Sequence, residues 1–167
     1  MSGTNLTSNI NMLSPTGFKL TINREKFANT EFFITSFGIP SLSAGEVQTN
    51  FQNNIGFTPG EVLTFEALSL RFVIDEDMNN YTEMFNWMKA NTDSVEETPF
   101  APAVRSVERH DMILSIMTNK NLVNKQFQFK DAFPTALSGV EFSAQATDVE
   151  YLQADVTFRY NEFAIIK

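Results

Sequence analysis

Apolar and polar residues alternate most regularly near the end of the chain. Every second position from 152 to 160 is apolar, and polar or charged residues stand between them. A repeat of two predicts a β-strand with one buried face and one solvated face. Similar alternation, or a short apolar run, predicts strands at residues 18–22, 31–37, 62–74, 112–117, 122–129, 137–146 and 151–165.

One segment follows a helical repeat instead. Its apolar residues recur at spacings of three and four, which indicates an amphipathic helix of roughly three to four turns. The predicted stripe consists of Met78, Tyr81, Met84, Phe85 and Met88. Asp75 or Asp77 is expected to cap the helix, and Trp87 to pack at the margin of the stripe.

Strands on both sides of a single helix predict a mainly β domain, an antiparallel β-sandwich or barrel with one α-helix packed against it. We expect this single domain to occupy residues 14–167, after a flexible polar N-terminal arm at residues 1–13. Residues 23–28 are expected to form a short connection, residues 91–107 a surface loop and residues 131–134 a turn.

Residues 38–60 carry repeated Gly and Pro residues around a polar stretch with few core residues. This pattern predicts an extended arm or a long polar hairpin, and a solvated loop is the alternative. A segment of this length without core residues is usually functional or disordered.

Composition narrows the function classes. The chain of 167 residues has a net charge of −8, which opposes binding to DNA or to an anionic membrane through a basic patch. It has no cysteine, which excludes disulfides, thiolate metal sites and a cysteine nucleophile. The 17 phenylalanines favour sheet. No signal peptide or membrane span is predicted, so a cytosolic location is expected.

The search for catalytic chemistry is negative. His110 is the one histidine, and no nucleophile motif accompanies it. Residues 75–79 resemble the start of a calcium loop, but Asn80 replaces the required glycine and Asn86 the bidentate glutamate. Glu96-Glu97 is read as a solvated charge pair rather than a carboxylate site. We therefore expect no enzyme activity, no metal and no cofactor.

Several features occur in a set order along the chain. An early strand at 18–22 precedes a Gly/Pro corner at 38–40, then an apolar strand at 68–74 leads into the acid-capped helix. A Phe-Lys-Asp-Ala-Phe-Pro block at 129–134 and a strand at 148–160 close the chain. Over residues 14–163 this order resembles the tail tube protein family of contractile-tailed bacteriophages. Baseplate tube initiators and the type VI secretion tube protein share that architecture.

The resemblance implies a structural virion protein. Its members form hexameric rings that stack into an inner tail tube within a contractile sheath, each subunit adding strands to a continuous β-barrel. Phage DNA passes through the lumen during ejection without specific binding. The implied partners are further copies of the chain, the sheath protein, and baseplate and tail terminator proteins, with assembly in the host cytoplasm.

Two sets of residues are candidates for these roles. The apolar residues of the arm are expected at a subunit interface: Phe51, Ile55 and Phe57. Polar residues on strands are expected to face the lumen, although a simple solvated face is nearly as good a reading of each: Glu46, Gln48, Glu66 and Asp155.

Other functions remain open at this point. Within the same fold, the chain could be a baseplate tube initiator or a tube terminator. In another class, it could be a monomeric β-sandwich that binds a ligand in a pocket lined by its phenylalanines. A hydrolase is third, because no constellation centred on a histidine supports it.

Overall fold

The computed structural model describes residues 13, 15–92, 107–142 and 151–166. Apart from Leu13, the predicted N-terminal arm lies outside them, as do Glu96-Glu97 and most of the predicted 91–107 loop. Along the chain the elements are β1 (Phe18–Thr21), α1 (Arg24–Phe32), β2 (Ile34–Phe37), β3 (Leu42–Phe51), β4 (Asn54–Phe65), β5 (Leu68–Val73), α2 (Asn79–Thr92), β6 (His110–Met117), β7 (Val123–Leu137), β8 (Gln153–Arg159) and β9 (Glu162–Ile165).

The body of the protein is a seven-stranded sheet with the order β1-β6-β7-β8-β5-β2, and β9 pairs with β7. Every described strand pair is antiparallel. The first part of β7 pairs with β6 and β9, and its last part pairs with β8. Strand β7 therefore belongs to two halves of the sheet, one with β1, β6 and β9 and the other with β8, β5 and β2. The buried residues of both halves form one core, as the predicted sandwich requires.

The core confirms the alternation that the sequence shows in β8. Ala154, Val156 and Phe158 are buried, whereas Gln153, Asp155 and Arg159 on the alternate positions are exposed. These three apolar side chains join buried residues of β1, β5, β6, β7 and both helices in one cluster. Mainly antiparallel β structure around a single core confirms the predicted fold class.

Helix α2 confirms the predicted helix but corrects its buried stripe. The Asp75 carboxylate accepts a hydrogen bond from the Asn80 N–H at 3.3 Å, so Asp75 is a cap. Met84 and Trp87 are buried, whereas Phe85 is 52% exposed and lies outside the core. The buried residues of the helix are Asn80, Met84, Trp87 and Asn91. Trp87 is therefore central rather than marginal.

Helix α1 is a second helix that the sequence analysis missed. It occupies the expected connection and the first residues of the expected second strand, so β2 begins only at Ile34. The Asn23 side chain caps it by accepting from the Glu25 N–H at 3.1 Å. Phe27 departs from helical dihedrals and kinks the helix, and its ring stacks on Trp87 at 4.4 Å. Among the described residues, no helix is long and apolar enough to cross a membrane.

Two predicted strands are each divided in two. The apolar run at 62–74 breaks at residues 66–67, so its first part ends β4 and its second part forms β5. The final run at 151–165 breaks at Tyr160 and Asn161, where the Asn161 N–H donates to the Lys130 carbonyl at 3.1 Å. The first break moves the chain from pairing with β3 to pairing with β2 and β8. The second separates β8, which pairs with the last part of β7, from β9, which pairs with an earlier part of the same strand.

The expected turn at 131–134 is wrong, because β7 continues through it to Leu137. Asp131 does bend the strand: its φ is 54°, and its N–H donates to an Asp111 carboxylate oxygen at 3.0 Å. Pro134, which has no N–H to donate, lies at a register irregularity of the β7–β8 pair. Of the expected strand at 137–146, Leu137 is the last residue of β7, the described residues 138–142 are not strand, and residues 143–146 lie outside the described part of the chain.

Candidate assembly surface

Strands β3 and β4 form a hairpin that stands apart from the seven-stranded sheet. They pair with each other, and no other strand of the described residues pairs with them. The register runs from Leu42 opposite Phe65 to Phe51 opposite Asn54, leaving Gln52 and Asn53 as the turn. Of the readings that the sequence allowed for residues 38–60, the long hairpin is confirmed.

The outer part of the hairpin has two different faces. Opposed residues of an antiparallel pair share a face, and successive residues alternate between faces. One face, here called the Phe57 face, consists of Glu46, Gln48, Asn50, Ile55, Phe57 and Pro59. The opposite face, here called the Val47 face, consists of Val47, Thr49, Gly56 and Thr58.

The inner end of the hairpin is fixed to the body. The Phe65 ring lies 5.5 Å from Phe163 and 6.1 Å from Tyr160, measured between ring centroids. The Tyr160 hydroxyl donates to the Glu66 carbonyl at 2.7 Å, and the Glu66 N–H donates to the Ser41 carbonyl at 3.2 Å. Burial of the phenol raises the pKa of Tyr160, so the hydroxyl keeps the proton that it donates.

The expected interface residues all lie on this hairpin. Ile55 is 54% exposed and Phe57 is 61% exposed, and they are neighbours on the Phe57 face. Phe51 is next to the turn, and its side chain lies outside the described part of the structure. Large apolar side chains left this exposed mark a surface that another molecule can cover.

Sequence reasoning missed other exposed apolar residues of the same hairpin. Val47 is 56% exposed, Val62 is 70% exposed and Leu63 is 48% exposed. The signal was available, since alternating β-branched residues are typical of a strand rather than a solvated loop. Their exposure could not be inferred from the sequence, because it depends on which face of the hairpin meets the body.

The expected lumen residues are not brought together as one group. Glu46 and Gln48 are on the Phe57 face of the hairpin, beside Ile55 and Phe57. Glu66 is exposed at the joint between hairpin and body. Asp155 is exposed on β8, a strand of the main sheet. Two of the four therefore share their face with Ile55 and Phe57.

Of the expected lumen residues, Asp155 is the one that is paired with a cation within the described part of the chain. Arg71 on the neighbouring strand β5 donates from Nε at 2.7 Å and from Nη2 at 3.1 Å. These hydrogen bonds lower the pKa of Asp155, and they raise that of Arg71. A charge that is paired in this way repels a passing anion less than an unpaired carboxylate does.

A second polar cluster joins both helices to the start of β6. The Glu108 carbonyl accepts from the indole N–H of Trp87 at 3.0 Å and from the Asn91 amide at 3.1 Å. Its carboxylate binds the Lys26 ammonium and lies 2.9 Å from His110 Nε2. The hydrogen bond from Lys26, followed by that from His110, lowers the pKa of Glu108. His110 is therefore part of a structural cluster.

An open cavity of about 310 Å³ lies beside this cluster, between α1 and α2. It is lined by Lys26, Phe27, Glu83, Asn86, Trp87, Ala90 and Glu108. Phe27 is its one phenylalanine, so it is not the phenylalanine-lined pocket expected of a ligand-binding sandwich.

No family model and no curated protein matches this chain in sequence. Solved structures do match in fold. The cap that terminates the tube of the anti-feeding prophage aligns with a TM-score of 0.67 and 18% identity, over 99% of this chain and 98% of that chain.

Two chains of the extracellular contractile injection system PVC in the extended state also match. One belongs to the sheath–tube complex, with a TM-score of 0.65 and 17% identity, over 92% of this chain and 90% of that chain. The other belongs to the sheath/tube terminator, with a TM-score of 0.64 and 16% identity, over 95% and 100%.

More distant likenesses widen the comparison to the baseplate of the anti-feeding prophage and a type six secretion system protein, at TM-scores of 0.60 and 0.51. These neighbours are structural proteins rather than enzymes, in agreement with the expectation from the sequence. The chain therefore has the fold of the tube and tube-terminating proteins of contractile injection systems, and the resemblance seen in its sequence is confirmed.

Proposed function

We propose that this chain assembles with copies of itself into hexameric rings, which stack as the inner tail tube inside a contractile sheath. The observation that carries the proposal is the β3–β4 hairpin. It leaves the body, pairs with no other described strand, and exposes more than half of Ile55 and Phe57. A monomer gains nothing from such a surface, whereas a ring or a stack can bury it.

The apolar part of the Phe57 face, formed by Ile55 and Phe57, is the surface that we assign to contact with a second copy. Phe57 and Ile55 lie on the same side of β4, and Gln48 lies directly opposite Phe57. Burying side chains of this size contributes roughly 1.5–3 kcal/mol each. Phe51 pairs with Asn54 next to the turn, one position beyond the Phe57 face, and we assign it to the interface at the tip of the hairpin.

The lumen assignment follows from what remains exposed once this contact forms. Glu46 is the member of the Phe57 face nearest the body, opposite Pro59, and we assign it to the lumen with Glu66 and Asp155. Gln48 lies at the border of the contact. Carboxylates would let DNA pass without retaining it, and the net charge of −8 suits that role.

Charge reversal tests the lumen assignment. Glu46→Lys is expected to slow DNA passage through assembled tails, because a cation on the wall attracts phosphate. DNA delivery at the unmodified rate would contradict the assignment.

In the assembled tail, the partners would be the sheath protein outside the tube, and baseplate and terminator proteins at its ends. Assembly would take place in the host cytoplasm, and the product would lie in the tail. The fold of chains from sheath–tube, terminator and baseplate assemblies supports these partners.

A tube-terminating cap is the second candidate. Its support is the end-to-end likeness to the anti-feeding prophage cap, which covers nearly all of both chains. A cap forms one ring and then stops, because its outer side lacks the surface on which the next ring stacks. The length of the assembled particle distinguishes the two functions.

The test is sedimentation velocity and negative-stain imaging of the purified chain over a range of concentration and salt. Long hollow tubes with six-fold symmetry support the tube subunit, and single rings support the cap. A chain that stays monomeric at all concentrations would overturn self-assembly.

Matched variants then test the contact itself. Ile55→Ser with Phe57→Ser removes the apolar part of the Phe57 face, and assembly is expected to be lost. Val47→Ser is the control, because Val47 is equally exposed on the opposite face. Both proteins should keep the thermal stability of the body. Loss of assembly in the control alone would place the contact on the Val47 face.

A further inference from the structure

The hairpin contains one sharp break in its register. Ala44 lies opposite Leu63, and the next pair is Glu46 opposite Pro59. Between these pairs β3 has the single residue Gly45, whereas β4 has three, residues 60–62. An excess of residues on one strand bends the pair and increases its twist. The break therefore divides the hairpin into an inner part and an outer part.

At this break the backbones of Gly45 and Gly60 approach each other closely. A Cβ built on Gly60 would lie 2.7 Å from the Gly45 carbonyl oxygen and 2.8 Å from its carbonyl carbon. Both are backbone atoms, so they cannot move aside without shifting β3. A Cβ built on Gly45 would meet no atom within 4 Å. Position 60 therefore requires glycine for lack of space, whereas position 45 does not.

The two parts of the hairpin are held very differently. The inner part is tied to the body through Phe65, the Glu66 backbone and Tyr160. Of the outer part, Glu46 to Pro59, every residue described by exposure is exposed except Gly56, which is half-buried. The direction of the outer part is therefore set at the break, not by packing on the body.

We propose that the close approach of Gly45 and Gly60 is a fixed elbow that aims the Phe57 face at the neighbouring copy. Gly60 is then a positioning residue for self-assembly, although it takes no part in the contact. This inference rests on the proposed function, since it concerns the same hairpin. An elbow matters because the binding surface lies on the outer part, beyond the break, and is exposed instead of packed on the body.

Matched alanine variants test the elbow. Gly60→Ala pushes β3 and β4 apart at the break, and the concentration needed for ring or tube assembly is expected to rise by a factor of about ten or more. Gly45→Ala adds the same methyl group on the other side of the break, where there is space. It is expected to assemble like the unmodified chain, and both variants should retain a folded body by circular dichroism.

An engineered disulfide distinguishes a misdirected hairpin from one that has lost its pairing. Val47→Cys with Thr58→Cys places two thiols on opposed residues, and the chain has no other cysteine. In the Gly60→Ala background this disulfide is expected to form without restoring assembly. Restored assembly would mean that Gly60 merely preserves strand pairing, and would overturn the elbow.

The remaining outcomes also decide between explanations. Normal assembly of Gly60→Ala, or equal damage from Gly45→Ala, overturns the elbow while the proposed function stands. Failure of the unmodified chain to assemble overturns the proposed function, and the role of Gly60 falls with it.

Discussion

Arg71 on β5 and Asp155 on β8 form a two-point ion pair across neighbouring strands, with nitrogen–oxygen distances of 2.7 and 3.1 Å. Both side chains are about half exposed, so water screens their attraction. The pair nevertheless changes the charge pattern of the sheet. Asp155 is matched by a cation, and among the proposed lumen residues Glu46 would therefore contribute more to repelling DNA.

Removing the cation should shift the titration of Asp155. Arg71 lowers the pKa of this carboxyl, chiefly through its hydrogen bonds, so Arg71→Met is expected to return that pKa toward its ordinary value. A lowered folded-state pKa stabilises the protein above the ordinary value of about 3.9, and the contribution disappears as the pH falls through the folded-state pKa. A carboxyl-carbon NMR titration measures the shift.

The control for this titration is Lys130→Met, which removes the cation paired with Glu162. It should leave the Asp155 titration unchanged. An Asp155 curve that is identical in Arg71→Met and the unmodified protein would mean that the ion pair does not persist in solution.

Adjacent residues on α2 should differ sharply in their effect on stability. Met84 is fully buried, and Met84→Ala is expected to lower the free energy of unfolding by about 2–5 kcal/mol through the cavity it leaves. Phe85 is 52% exposed, and Phe85→Ala should cost less than about 0.5 kcal/mol. Urea denaturation of the two variants measures the difference.

The result also tests which stripe of the helix faces the core. If Phe85→Ala were as damaging as Met84→Ala, the stripe expected from the sequence would be the buried one. Assembly assays on Phe85→Ala would then show whether its exposed ring is needed in the tail rather than in the monomer.

The core strands could be predicted from the sequence because their signal is local. Residues 152–160 alternate, and the structure buries the expected side. Helix α1 could not be predicted, because what holds it is distant in sequence. Phe27 stacks on Trp87, and Thr30 is bound by the Glu83 carboxylate at 2.9 Å. These long-range contacts hold α1 in place, although its own sequence has no apolar stripe at helical spacing.

The hairpin was partly predictable for the same reason. Its glycines and polar residues indicated an arm that lies outside the core, and the structure places it there. Which residues share a face depends on cross-strand register, and the register depends on the break at Gly45. The sequence therefore identified Ile55 and Phe57 as apolar residues of an arm outside the core, with an interface as their expected place, but it did not identify Glu46 and Gln48 as their neighbours.

The joint between hairpin and body should depend on one hydroxyl. Tyr160→Phe removes the 2.7 Å hydrogen bond to the Glu66 carbonyl while keeping the ring in place. We expect the free energy of unfolding to fall by about 1 kcal/mol and amide hydrogen exchange in the inner part of the hairpin to become faster. Because the pKa of Tyr160 is raised, its contribution is complete below about pH 10 and declines as the pH rises through the folded-state value.

Tyr151→Phe is the matched control, since Tyr151 is 76% exposed. It should alter neither stability nor exchange in the hairpin. Unchanged exchange at Phe65 and Glu66 in Tyr160→Phe would show that the aromatic packing alone holds the joint.

The Glu108 carboxylate should stabilise the packing of α1 and α2 against the start of β6, and this stabilisation should depend on pH. Glu108→Gln keeps the backbone carbonyl that Trp87 and Asn91 bind, so it isolates the side-chain contacts with Lys26 and His110. We expect the free energy of unfolding of Glu108→Gln to be lower by roughly 1 kcal/mol at pH 7. The hydrogen bonds from Lys26 and His110 lower the pKa of Glu108, so this stabilisation is complete above the ordinary value of about 4.3.

As the pH falls through the folded-state pKa, Glu108 takes up a proton and the stability of the two proteins converges. Urea denaturation from pH 7 to pH 3 measures that convergence, and exposed Glu76→Gln serves as the control that should show no difference. A gap between Glu108→Gln and the unmodified protein that stays constant over this range would mean that packing, rather than the charge of Glu108, joins the helices to β6.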